Sequence, residues 1–139
     1  MPIKYKKVLL MSSILSKVEA LNTKEDPMTD RLIKSKSIPF QELKSGVSRR
    51  ILGYMDQLML VEMRFKKGTI GEPHGHPHAQ TGFVLQGSFE VQMGEKKEIL
   101  REGDCYLVEP HVIHGVVCLE DDSRLLDVFT PKREDFLKL

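Results

Sequence analysis

From Val47 to Thr130 the chain is written in short runs that alternate apolar and polar residues, and most runs stop at a glycine or a proline. A period of two places alternate side chains on one buried face, the pattern of a half-buried β-strand. Met59, Val61, Met63 and Phe65 share a face in this way, and Phe89, Val91 and Met93 repeat it. Strands are expected at 47–54, 57–67, 81–85, 89–93, 97–100, 105–108, 115–119 and 124–130, with a hairpin turn at 94–96 and a helical turn at 133–137. Gly68, Gly71 and Pro73 read as a break in the chain before residue 74. No helix separates the strands, so the chain lacks βαβ alternation and reads as an all-β sandwich or barrel.

Phe83-Val84-Leu85 is apolar on both faces of its strand, which calls for cover on both sides. A homodimer is one expected source of that cover. Ahead of the strands, Met11, Ile14, Leu15, Val18 and Leu21 follow helical spacing, so a short amphipathic helix is expected there. The apolar stretch at 8–15 is far shorter than the ~20 residues that cross a bilayer. Residues 22–30 are polar and contain a proline, as a linker does. The expected division is therefore an N-terminal extension over 1–30 and a single β-domain over 31–139.

Twenty-one Lys and Arg against 20 Asp and Glu leave a net charge of +1, with no field to attract nucleic acid or an anionic membrane. Cys105 and Cys118 both lie in apolar runs and read as buried free thiols, which suits a reducing, cytoplasmic setting. All five histidines fall between His74 and His114. His74, His76 and Gln80 share parity, so an extended segment projects them from one face. His114 lies two or three strands further on, and a barrel can return it opposite the first pair. Imidazoles with one oxygen donor suit a divalent transition metal such as Zn, Ni, Fe or Mn. His78 has the same parity but reads as a rim residue, and His111 as an exposed turn residue.

The full spacing carries a resemblance. Gly68-x5-His74-x-His76-x3-Gln80-x6-Gly87 resembles the first motif of the cupin superfamily, with Gln80 where many members have Glu. Gly103-x5-Glu109-x-His111-x2-His114 resembles the second, with Glu109 in place of the usual proline, His111 in place of glycine and Cys118 where Asn is frequent. The resemblance implies a double-stranded β-helix, the cupin jelly-roll barrel, with one metal held by His74, His76, Gln80 and His114. Gln80 is a neutral donor, so the ion would keep its full charge and act as a stronger Lewis acid.

The ending Leu126-Asp127-Val128-Phe129-Thr130-Pro131-Lys132-Arg133 is similar to that of small cupins of pectin and alginate breakdown, which promote ring opening of 4,5-unsaturated uronates. Those proteins commonly carry Glu before the motif glutamine, where this chain has Ala79. The resemblance implies a small carboxylated sugar as substrate. Asp127 would shuttle a proton, Phe129 would wall the sugar ring, and Arg133 would offer its planar fork to a carboxylate. Cys118, with the parity of His114, is expected to face the pocket or to be a small buried thiol; Tyr106 is expected to pack. A metal-dependent dioxygenase and a non-catalytic small-molecule binder are the competing readings.

Overall fold

The computed structural model describes residues 31–138. The helix expected over 11–21 and the linker over 22–30 lie outside the described residues. Among the described residues, a 3-10 turn (Ser35–Ser37) precedes strands β1 (Gln41–Lys44), β2 (Val47–Met55), β3 (Leu58–Phe65), β4 (Ile70–His74) and β5 (Ala79–Gln86). β6 (Ser88–Met93), β7 (Lys96–Arg101), β8 (Cys105–Val108), β9 (His114–Cys118) and β10 (Ser123–Thr130) follow, and a helical turn, α1 (Glu134–Leu137), comes last. Six strands form one antiparallel sheet in the order β1-β2-β3-β10-β5-β8, and four form a second in the order β4-β9-β6-β7. This is the expected jelly roll. No helix of the described residues is long and apolar enough to cross a membrane.

Two strands escape the alternation rule. In β4, Gly71 and Pro73 look like a break, yet the segment pairs with β9 at the edge of its sheet. An edge strand tolerates a proline because one side of its backbone has no ladder to feed. β1 carries one apolar residue, Leu43, and is exposed along its length.

The sheets close on a core drawn from both. Phe65 of β3 meets Phe89 of β6 edge to face at 5.2 Å between ring centroids, with Val84, Val91, Val116 and Leu125 around them. Each such side chain contributes roughly 1.5–3 kcal/mol on burial. Cys118 belongs to this core. Its thiol donates to the Glu120 carbonyl and is packed in this core, at the opposite end of β9 from His114. Cys105 is exposed, contrary to the burial expected from its apolar run, because β8 is an edge strand and Cys105 lies on its outer face. On that face Phe83 is 40 % exposed and Leu107 73 %. The described residues do not supply the outer cover expected for 83–85.

Register sets what faces the interior. Opposed residues of an antiparallel pair share a face, so Ile51, Val61, Asp127, Gly82 and Tyr106 form one row across β2, β3, β10, β5 and β8. Met59, Phe129, Gln80 and Val108 form a neighbouring row. A second, smaller apolar cluster of Met59, Val61 and Phe129 packs with Ile51, Tyr54 and Phe136.

Candidate metal centre

His74 ends β4 and His114 starts β9, and the two are direct cross-strand partners. His76 sits in the loop between β4 and β5, two residues past His74. That loop is held by the His111 amide, which donates to the His76 carbonyl at 2.7 Å. One ring nitrogen from each of the three histidines lies within 4.8 Å of the others. Gln80, at the start of β5, brings a fourth donor: its Oε1 is 2.8 Å from His76 Nε2 and 3.2 Å from His114 Nε2.

The protonation of these rings follows from their backbone partners. His74 Nδ1 donates to the Glu72 carbonyl (2.9 Å), His76 Nδ1 to the His78 carbonyl (3.0 Å), and His114 Nδ1 to the Val112 carbonyl (2.8 Å). A carbonyl oxygen only accepts, so Nδ1 carries the proton and Nε2 keeps its lone pair. Burial holds His76 and His114 below the usual imidazole range, so the doubly protonated ring that would let Nε2 donate is disfavoured. Gln80 is oriented by its other end, where Nε2 donates to Asp127 Oδ1 at 3.1 Å. Its carbonyl oxygen therefore meets two nitrogen lone pairs. Lone pairs this close repel unless a cation lies between them, and such separations match the edges of a coordination shell with bonds of about 2.0–2.2 Å. The donor set fits a borderline divalent metal.

Asp127 lies beneath this cradle. Tyr106 donates its hydroxyl to the same Oδ1 at 3.3 Å, and Oδ2 has no partner among the described residues. Burial pushes the carboxyl up to about 6, opposed by the hydrogen bonds from Gln80 and Tyr106 and by the charge of Arg133. Burial likewise raises the Tyr106 phenol, and the neighbouring Asp127 charge adds to the effect. Phe129 packs edge-on against His76 with ring centroids 5.7 Å apart, and against Phe136 of α1 at 5.5 Å.

A cupin domain is recognised over residues 61–129. The pectin degradation protein KdgF of Dickeya dadantii is 48 % identical over 100 residues, spanning 71 % of this chain and 91 % of that protein. This chain belongs to the cupin family. Among solved structures, KdgF from Halomonas sp. matches with a TM-score of 0.75 and 37 % identity over 78 % of the cupin and 99 % of that chain. An RmlC-like cupin from Shewanella frigidimarina matches with a TM-score of 0.74 and 35 % identity over 78 % and 96 %.

The structure of this cupin brings His74, His76, Gln80 and His114 together and sets Asp127 and Phe129 beside them, both buried. Arg133 is also buried, but its fork is in use: Nε and Nη2 donate to Asp135 Oδ1 and Oδ2 at 3.0 and 2.8 Å. His78 lies outside the cradle with Asp56, Lys132 and Asp135 around a separate surface hollow. His111 is exposed, at φ +68°, a left-handed conformation that explains why the resembling motif has glycine at this position. Two residues that contact this region gave no such signal in the sequence. Tyr106 reads there as packing, because only the register of β5 and β8 brings it to Asp127. Arg49 of β2 gives no motif signal, yet it faces the interior opposite Met63 and stacks on Phe136.

Proposed function

We propose that this cupin is a metal-dependent, non-redox enzyme that promotes ring opening of a 4,5-unsaturated uronate to its linear keto form. The Dickeya dadantii relative is a pectin degradation protein, which supports a sugar-acid substrate for this cupin. The observation that carries the reading is the Gln80–Asp127 hydrogen bond, which joins a three-histidine cradle to a buried carboxylate. A divalent metal such as Zn, Ni, Fe or Mn, held by His74, His76, His114 and the neutral Gln80, would supply Lewis acidity toward a substrate oxygen.

The reaction is an isomerisation and needs no oxidant. The anomeric hydroxyl loses a proton, the bond from C1 to the ring oxygen breaks as C1 becomes a carbonyl, and C4 of the resulting enolate gains that proton to give the ketone. Asp127 is the proton carrier. Gln80 and Tyr106 pin its Oδ1, which leaves Oδ2 to take the proton and return it. Phe129 forms an apolar wall against the sugar ring, and Arg133 places positive charge near the substrate carboxylate.

The test is loss of the ultraviolet absorbance of 4,5-unsaturated galacturonate. Wild type should clear it faster than the spontaneous rate, and Asp127→Asn should lose at least about 100-fold in kcat with its metal content unchanged. Equal rates with and without protein would overturn the proposal. Oxygen uptake with an organic substrate would replace it with a dioxygenase, and ligand binding without turnover with a binding module.

A further inference from the structure

We infer that Arg49 is a carboxylate-receiving side chain of this site, sharing the ring of Phe136 with Arg133; the inference rests on the sugar-acid reading above. Arg49 lies on the interior face of β2, opposite Met63, in the row next to the one that carries Asp127. Its guanidinium carbon is 3.9 Å from the Phe136 ring centroid, and that of Arg133 is 4.2 Å from the same centroid. The two cations are thus no farther apart than about the Debye length at physiological salt, ~8 Å.

Two features set Arg49 apart from Arg133. The Arg133 fork is closed by Asp135, whereas Arg49 has no ion pair or side-chain hydrogen bond among the described residues. Arg49 is also half-buried, and none of its nitrogens is both buried and unpaired, so the fork stays open to an incoming anion. An aromatic face supports a planar cation but supplies no acceptor for its five N–H groups. The Asp135 carboxylate serves Arg133 and its charge also reaches Arg49, but no oxygen accepts from the Arg49 fork among the described residues, and a uronate carboxylate has the planar, two-oxygen shape to do so.

The path to the metal cradle is continuous. Phe136 packs on Phe129, and Phe129 packs on His76. A sugar ring lying along Phe129 would then have its reacting end near Asp127 and its carboxylate toward the two arginines. On this placement Arg49 anchors the acid group, and Asp135 keeps Arg133 in position.

The experiment pairs kinetics with binding of an unreactive probe. The metal-loaded full-length protein is titrated calorimetrically with D-galacturonate and with its methyl ester, which keeps the ring but lacks the charge. Wild type should prefer the acid by about tenfold. Arg49→Met should collapse that preference and raise KM for the unsaturated uronate by about tenfold, a larger change than in kcat. Arg49→Lys, which restores charge without the fork, should recover only part of the preference. Metal content and circular dichroism report whether each variant is folded. If Arg49→Met keeps the acid preference and the wild-type KM while wild type turns the substrate over, the Arg49 assignment falls and the sugar-acid reading stands. If wild type turns nothing over yet Arg49→Met still abolishes the acid preference, the reading falls and the assignment stands. No acid preference in wild type would overturn the assignment directly.

Discussion

At position 82 a glycine separates two side chains that act on each other, Asp127 on β10 and Tyr106 on β8. A β-carbon at Gly82 would run into the ring and hydroxyl of Tyr106, so the phenol crosses β5 to reach Asp127 only because this residue has no side chain. Gly82→Ala should therefore act twice. Overpacking should cost about 1–3 kcal/mol in urea denaturation, and the displaced Tyr106 should release Asp127 and lower kcat. Tyr106→Phe separates the two effects: it keeps the ring and removes the hydroxyl. A net hydrogen bond is worth about 1 kcal/mol, so kcat should fall by roughly fivefold with little change in metal content. A Tyr106→Phe enzyme with wild-type kcat would show that Asp127 does not need the bond.

At the scale of elements, the strands legible in advance were those with an alternating apolar face, such as β3 and β6, whose partners reward that alternation with burial. β4 and β1 were illegible for opposite reasons: β4 carries turn residues tolerated at an edge, and β1 carries a single apolar residue, Leu43, too few to alternate. The histidines and Gln80 were legible because ligand spacing is local to two segments. The contact of Arg49 with Phe136 was not, because it joins β2 to α1, nearly the whole domain away in sequence. The C-terminal turn itself was expected at 133–137 and is present as α1. Its Arg133–Asp135 pair has a pH signature. The hydrogen bond from Arg133 holds the Asp135 carboxyl below its ordinary range, so the pair stabilises the fold above that range and is lost as pH falls through the lowered value. The Asp135 side chain is 56 % exposed, which keeps the contribution below about 1 kcal/mol. Asp135→Asn should therefore lower the urea midpoint slightly at neutral pH, and the gap to wild type should narrow as pH falls below the ordinary aspartate range. A gap that does not narrow with falling pH would mean the variant acts through something other than charge.

For the molecule as a whole, the cradle draws donors from both sheets. His74 and His114 stand on the four-stranded sheet, Gln80 on the six-stranded sheet, and His76 in the loop that joins them. A metal held there cross-links the two halves of the barrel, and because the unfolded chain does not bring these four donors together, its binding free energy adds to folding stability. At a free metal concentration 100 times the dissociation constant that amounts to about 2.7 kcal/mol. For a domain of this size such a change shifts Tm by roughly 10 °C. Chelation should therefore lower Tm by that order in scanning calorimetry, and readdition of metal should restore it. The variants should grade the effect. His114→Ala removes a strand-anchored imidazole and should abolish the chelator-sensitive shift, whereas Gln80→Ala keeps three imidazoles and should retain most of it. Gln80→Ala nonetheless breaks the link to Asp127, so it should lose activity out of proportion to its metal affinity. If chelation leaves Tm unchanged in a protein that purifies with a full equivalent of metal, the ion is not held between the sheets and the four-donor assignment fails.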